Sequence, residues 1–160
     1  MTKTFSACEI IEMGIQIEKN GRDFYNTLEK LTDNAQARAM LRHLSNAEDE
    51  HIKVFSGIFS GVCDYDPPGA YPEEYFQYLN SLASEYVFTK AGEGEKAATL
   101  VGTYTQGLDL GISLEKDSIL FYQEMKKFVP GGELEKIDVL IANEKEHLTI
   151  LVRMKEEAKK

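Results

Sequence analysis

Apolar residues recur every three or four positions in four long stretches of the chain, the period of one buried face of an α-helix. The first stretch opens at Ser6-Ala7-Cys8-Glu9, the spacing of a capping box, and continues through Ile10, Ile11, Gly14, Ile15, Ile17, Gly21, Phe24, Tyr25, Leu28 and Leu31. Thr32-Asp33-Asn34 interrupts it, and Asp33 is the expected N-cap of a second helix that runs to about Ser60 on Ala37, Met40, Leu41, Leu44, Val54, Phe55 and Ile58. A third helix is predicted from Thr103-Tyr104-Thr105-Gln106. Pro130-Gly131-Gly132 then sets off a fourth, from about Glu133 to the charged tail Lys155–Lys160, with Ile137, Leu140, Ile141, Leu148 and Leu151 on its face.

The links within the first and second pairs of helices are short, so each pair is expected to fold as an antiparallel hairpin. Residues 61–102 differ. Gly61, Pro67, Pro68, Gly69 and Pro72 mark a loop, and Glu73 to about Phe88 reads as a helix rich in aromatics (Tyr75, Phe76, Tyr78, Tyr86, Phe88). After Gly92-Glu93-Gly94 a short helical piece, Glu95 to Val101, is expected. A crossover of this length spans a bundle about 40 Å long, and its aromatics suit covering the bundle or a subunit interface.

The two hairpins repeat one another. Leu110-Gly111-Ile112-Ser113-Leu114-Glu115-Lys116 follows Met13-Gly14-Ile15-Gln16-Ile17-Glu18-Lys19, and Phe121-Tyr122 follows Phe24-Tyr25, along one ungapped register that also pairs the two capping sequences. The register places Glu115 on Glu18. Both glutamates interrupt an apolar stripe. In the second and fourth helices the interruptions are Glu48 with His51 and Glu144 with His147, each an E-x-x-H pair on one helical face. Counting along each helix from its turn, Glu18 comes level with Glu48, and Glu115 with Glu144. The expected fold is all-α, one domain over residues 1–160: a four-helix bundle of two repeated antiparallel hairpins, joined by a long crossover with an extra helix.

Composition narrows the chemistry. With 42% hydrophobic and 28% charged residues the 160-residue chain resembles an ordinary globular protein, long enough to bury a core without staples. A net charge of −9 disfavours nucleic acid, which needs a basic face. No run of apolar residues is long enough to span a membrane and the N-terminus lacks a signal-like run, so a cytoplasmic location is expected. Cys8 and Cys63, distant in sequence, are expected as reduced thiols there.

Four glutamates and two histidines directed inward at one depth are costly unless cations compensate them. Two divalent ions would cancel four negative charges, and six oxygen and imidazole donors suit iron or manganese better than structural zinc. One Glu from each of two helices with E-x-x-H from each of the other two is a dinuclear carboxylate pattern. His43 lacks a glutamate three positions before it and a counterpart in the repeat, and reads as a surface histidine.

Glu18-Lys19 with Phe24-Tyr25, Glu48-x-x-His51, Glu115-Lys116-Asp117 with Phe121-Tyr122, and Glu144-x-x-His147 together resemble the rubrerythrin-like members of the ferritin-like superfamily, over nearly the whole chain. The resemblance implies a ferritin-like bundle holding two iron ions, with manganese or zinc as substitutes. It implies bridging roles for Glu48 and Glu144, terminal roles for Glu18 and Glu115, and one iron for each of His51 and His147. Tyr25 and Tyr122 would hydrogen-bond the ligand carboxylates. The implied function is an oxidoreductase acting on hydrogen peroxide or O2, and a homodimer is expected; iron storage and a metal-free partner-binding scaffold are the alternatives. Two departures stand out. Ser118 occupies the place of a further glutamate in rubrerythrin itself, which puts a peroxidase-type movement of the metal in doubt. The four-cysteine rubredoxin domain is absent, so electrons would come from a separate donor protein. Gly21 and Ser118 are small and would leave space beside the metals.

Overall fold

A computed structural model describes residues 5–67, 71–85 and 87–160, and of Val87 only the backbone. Pro68, Gly69 and Tyr86 of the predicted crossover lie outside the described residues. Six α-helices follow in order: α1 (Ala7–Leu28), α2 (Ala35–Val62), α3 (Glu73–Glu85), α4 (Glu93–Leu100), α5 (Tyr104–Met125) and α6 (Leu134–Ala158). There are no strands among the described residues.

The start signals act as local chemistry requires. The Ser6 hydroxyl accepts from the backbone N–H of Glu9, and the Glu9 carboxylate accepts from the Ser6 N–H at 3.0 Å, which closes the capping box. In the repeat, Thr103 accepts from Gln106 N–H, while Gln106 reaches one residue further back and accepts from Gly102 N–H at 3.0 Å. The cap of α2 is Asn34 rather than the expected Asp33: its Oδ1 accepts from Ala37 N–H at 2.9 Å. Between Leu28 and this cap the end of α1 tightens into a 3-10 turn over Glu29–Leu31.

Helices α1 and α2 form one antiparallel hairpin, α5 and α6 the other, and the two pack into a ferritin-like four-helix bundle. Its core is made of the predicted stripes, among them Ile10, Ile11 and Phe24 from α1, Leu41, Leu44 and Phe55 from α2, Leu114 and Phe121 from α5, and Ile137, Leu140 and Leu151 from α6.

The crossover contributes the two expected helical pieces, α3 ending at Glu85 and α4 starting at Glu93, with a 3-10 turn at Val87–Thr89 between them. Tyr71 and Tyr75 pack on Phe128 of the α5–α6 turn, and Phe76 packs on both tyrosines. Helix α4 lies on α1 and is held by the wholly buried Asn20. The Asn20 amide donates to Phe88 O at 2.7 Å and Lys90 O at 2.6 Å, and its oxygen accepts from Gly94 N–H at 3.2 Å. At Gly94 the two backbones touch, because a Cβ there would collide with the Asn20 carbonyl. Gly92, with φ of 77°, makes the left-handed turn that starts α4.

The cysteines correct an expectation. Cys8 and Cys63 are not separate reduced thiols but a disulfide. They are far apart in sequence, yet Cys8 is in the first turn of α1 and Cys63 is the C-cap of α2, and an antiparallel hairpin brings those ends together with Cα atoms 4.5 Å apart.

Candidate metal centre

Each residue of the predicted cluster sits where a helical stripe would otherwise be apolar. Glu18 follows Ile17 on α1, and Glu115 follows Leu114 on α5. Glu48 and His51 lie between Leu44 and Phe55 on α2, and Glu144 and His147 between Ile141 and Leu151 on α6. The packing that buries the stripes buries the polar groups with them: all six are 4% exposed or less. His43 is exposed and takes no part.

The six side chains converge as two interlocked groups. Glu18, Glu48, His51 and Glu144 form one, and Glu48, Glu115, Glu144 and His147 the other; in each, one donor atom per residue lies within 4.8 Å of all the rest. Glu48 and Glu144 belong to both. Each histidine turns Nδ1 inward. His51 Nδ1 lies 2.8 Å from Glu144, 3.2 Å from Glu48 and 3.3 Å from Glu18. His147 Nδ1 lies 3.1 Å from Glu144, 3.4 Å from Glu48 and 3.7 Å from Glu115. The two rings stack with centroids 5.4 Å apart.

The tyrosines cross the bundle, as the resemblance implies. Tyr25 of α1 donates its hydroxyl hydrogen bond to Glu115 on α5, and Tyr122 of α5 donates to Glu18 on α1. Each hairpin thus orients the other's glutamate. Asn143, just before Glu144, has its amide 3.3 Å from Nε2 of His51, the nitrogen facing away from the cluster. No spacing rule singled out Asn143, which lies beside the stripe rather than in it. Ala47 is its counterpart in α2, so this contact breaks the repeat symmetry.

Electrostatics divide the carboxyls in two. Burial pushes Glu18 well above the ordinary range, helped by the charges of Glu48 and Glu144; burial and then Glu144 do the same to Glu115. Burial also acts to raise Glu48, but hydrogen bonds with Glu18, His147 and His51 outweigh it and hold Glu48 low. Glu144 is likewise low, against burial and the charge of Glu48, through His147 and His51. Burial acts to lower both histidines, and their carboxylate neighbours, Glu144 first for His51 and Glu115 first for His147, raise them instead. Tyr25 is raised by burial and then by Glu115, so it remains a donor. Without metal, burial therefore favours the protonated forms of Glu18 and Glu115, while the two histidines and the carboxylates of Glu48 and Glu144 favour one another's charged forms.

The donor set fits a pair of cations. Glu144 Oε1 and His147 Nδ1 are buried and make no well-aligned hydrogen bond, although other cluster atoms lie close by. Beside them is a small cavity with room for about one water, lined by Gly21, Ser118, Ile17, Leu114 and Phe88 together with the carboxylates and Tyr25. The predicted space beside Gly21 and Ser118 is therefore present, and Phe88 of the crossover closes part of it.

A buried carboxylate and imidazole cluster across two crossed-over hairpins defines a protein of the ferritin-like carboxylate class. The Rubrerythrin family model matches residues 9–154, and the chain belongs to that family. It is similar in structure to a Thermotoga maritima protein, provisionally described as a ferritin-like diiron-carboxylate protein, with a TM-score of 0.74 and 25% identity over 96% of this chain and 97% of that one. No curated protein matches the chain by sequence.

Proposed function

We propose that the cluster binds two iron ions and that the protein is an oxidoreductase acting on hydrogen peroxide or O2 with electrons from a separate donor. The observation that carries this reading is the sharing of Glu48 and Glu144 between the two four-residue groups. Glu18 and His51 would complete one site, Glu115 and His147 the other. A bound iron pair would supply two electrons to the oxidant. The chain's own residues do the rest. Ile17, Leu114 and Phe88 form the apolar side of the small cavity, and a methyl group at Gly21 would already be in contact with Glu48, so the glycine keeps the bulk beside that carboxylate to a minimum. Tyr25 and Tyr122 fix the orientation of Glu115 and Glu18 by hydrogen bonds from outside the cluster. Ser118 donates to Leu114 O at 3.1 Å.

The sharing makes a specific expectation. Glu48→Ala removes a donor from both groups and should abolish binding of both ions, whereas Glu18→Ala should weaken one and leave the other. Iron content per chain after anaerobic loading with ferrous ion measures this. The rate of ferrous oxidation by hydrogen peroxide and by O2 then separates a peroxidase from a ferroxidase. Two irons per chain retained by Glu48→Ala would refute the bridging assignment; no iron bound by the unmodified protein would refute the reading as a whole.

A further inference from the structure

The disulfide lies outside the metal centre, at the end of the α1–α2 hairpin, and its two sulfurs are not equivalent. Cys63 is exposed, while Cys8 is half-buried behind it. Cys8 is the second residue of α1, where unpaired backbone N–H groups and the helix dipole favour negative charge. Cys63 caps the opposite, C-terminal end of α2, where the dipole disfavours it. Glu9 and Glu12 lie near Cys8 and oppose the effect, but Glu9 is committed to Ser6 through the capping box. Cys63 Sγ is also 3.5 Å from Phe59 O, so a thiol formed there has an acceptor in place one turn back.

We propose that Cys8 and Cys63 form a dithiol–disulfide redox site that exchanges electrons with an external dithiol protein. An incoming thiolate attacks Cys63 Sγ, the accessible sulfur, and the Cys63–Cys8 bond breaks with Cys8 leaving as thiolate, the better-stabilised anion. The donor's second thiol then attacks its own sulfur of the mixed disulfide and releases Cys63. In balance, one external dithiol becomes a disulfide and this chain gains two electrons and two protons. The helices meet without the bond, since the packing of α1 on α2 runs along their whole buried faces, so the site opens and closes on a standing scaffold. The inference does not depend on metal binding.

The test is made on the full-length folded protein, first as purified and again after removal of metal by a chelator. Dithiothreitol is added, thiols are trapped with a maleimide and counted by mass, and far-ultraviolet circular dichroism follows the fold. The expected result is a rise from no trapped thiols to both cysteines per chain with the helical signal unchanged. With glutathione the second step needs a second molecule, so a brief exposure quenched with a maleimide, which caps the Cys8 thiol as it is released, should trap a mixed disulfide that peptide mapping places on Cys63. A Cys8→Ala, Cys63→Ala double variant should remain helical. The proposal is overturned if thiols appear only when the protein unfolds, or if the mixed disulfide lies on Cys8. Either result would leave the iron-binding reading unaffected, because the same protein can be assayed for metal independently.

Discussion

At the scale of the residue, the cluster depends on groups one step removed from it. Nδ1 of His51 faces the carboxylates, and on the other side the Asn143 amide nitrogen lies 3.3 Å from Nε2. When a metal ion takes Nδ1, Nε2 must carry the ring hydrogen, and the Asn143 amide would turn over to present its oxygen, fixing tautomer and ring plane together. His147 has no equivalent, because Ala47 replaces the asparagine in the repeat. Asn143→Ala is therefore expected to weaken one of the two ions by about tenfold and leave the other nearly unchanged. Competition against a chelator of known affinity reads the two steps; equal weakening of both would show that Asn143 acts on the fold and not on His51. The six inward residues were legible in the sequence because a polar group in an apolar stripe breaks a period. Asn143 was not, since a polar residue beside the stripe breaks nothing. The disulfide was legible in principle: the first turn of one helix and the last of its antiparallel partner must meet.

At the scale of the element, the repeat made the two hairpins readable, and the crossover between them was less so. Its helices are short and have no counterpart in the repeat, and what places α4 is a pair of residues from different elements. Asn20 looks like one more polar residue in α1 until its side chain is seen bonded to Phe88, Lys90 and Gly94. Gly94 looks like a helix breaker, yet it lies inside α4 at a backbone contact. Two glycine substitutions separate the contact from helix propensity. Gly94→Ala directs its methyl at the Asn20 backbone carbonyl, which cannot rotate away, and is expected to cost about 2–3 kcal/mol. Gly107→Ala directs its methyl at the Leu28 side-chain terminus, which can turn aside. There the gain of about 1 kcal/mol in helix propensity should offset most of the crowding. Urea unfolding midpoints compare the two. If they fall equally, the α1–α4 backbone contact is not what holds the crossover down. Because Phe88 is carried on the same segment and lines the cavity, loss of this clamp is also expected to open the carboxylate cluster to water.

At the scale of the whole molecule, the cluster links stability, protons and metal. Glu18 and Glu115 are raised above 4.5 and His51 and His147 above 6.5, so in the metal-free protein the folded state holds protons that the unfolded chain releases. Stability from these groups is fully present below the unfolded values and is lost as pH rises toward the folded ones. Glu48 and Glu144 work in the other direction, but they are ionised in both states once the pH exceeds the ordinary carboxyl range, so their contribution to the slope lies only at acid pH. The metal-free protein should therefore lose stability from about pH 5 to about pH 8, more steeply above the ordinary histidine value. The chain's net charge of −9 adds a general repulsion of the same sign. A Glu18→Gln, Glu115→Gln variant separates the two: it keeps the shape of both neutral side chains, removes their titration, and should flatten the slope between the ordinary carboxyl and histidine values. Two divalent ions compete with about four protons, two from carboxyls and two from imidazolium rings, so metal should bind more tightly as pH rises. Metal-loaded protein should then gain stability over metal-free protein increasingly toward pH 8. Urea midpoints for both forms across this range test the linkage. A metal-free protein that grows more stable toward pH 8 would mean that the cluster is not held together by its own protons.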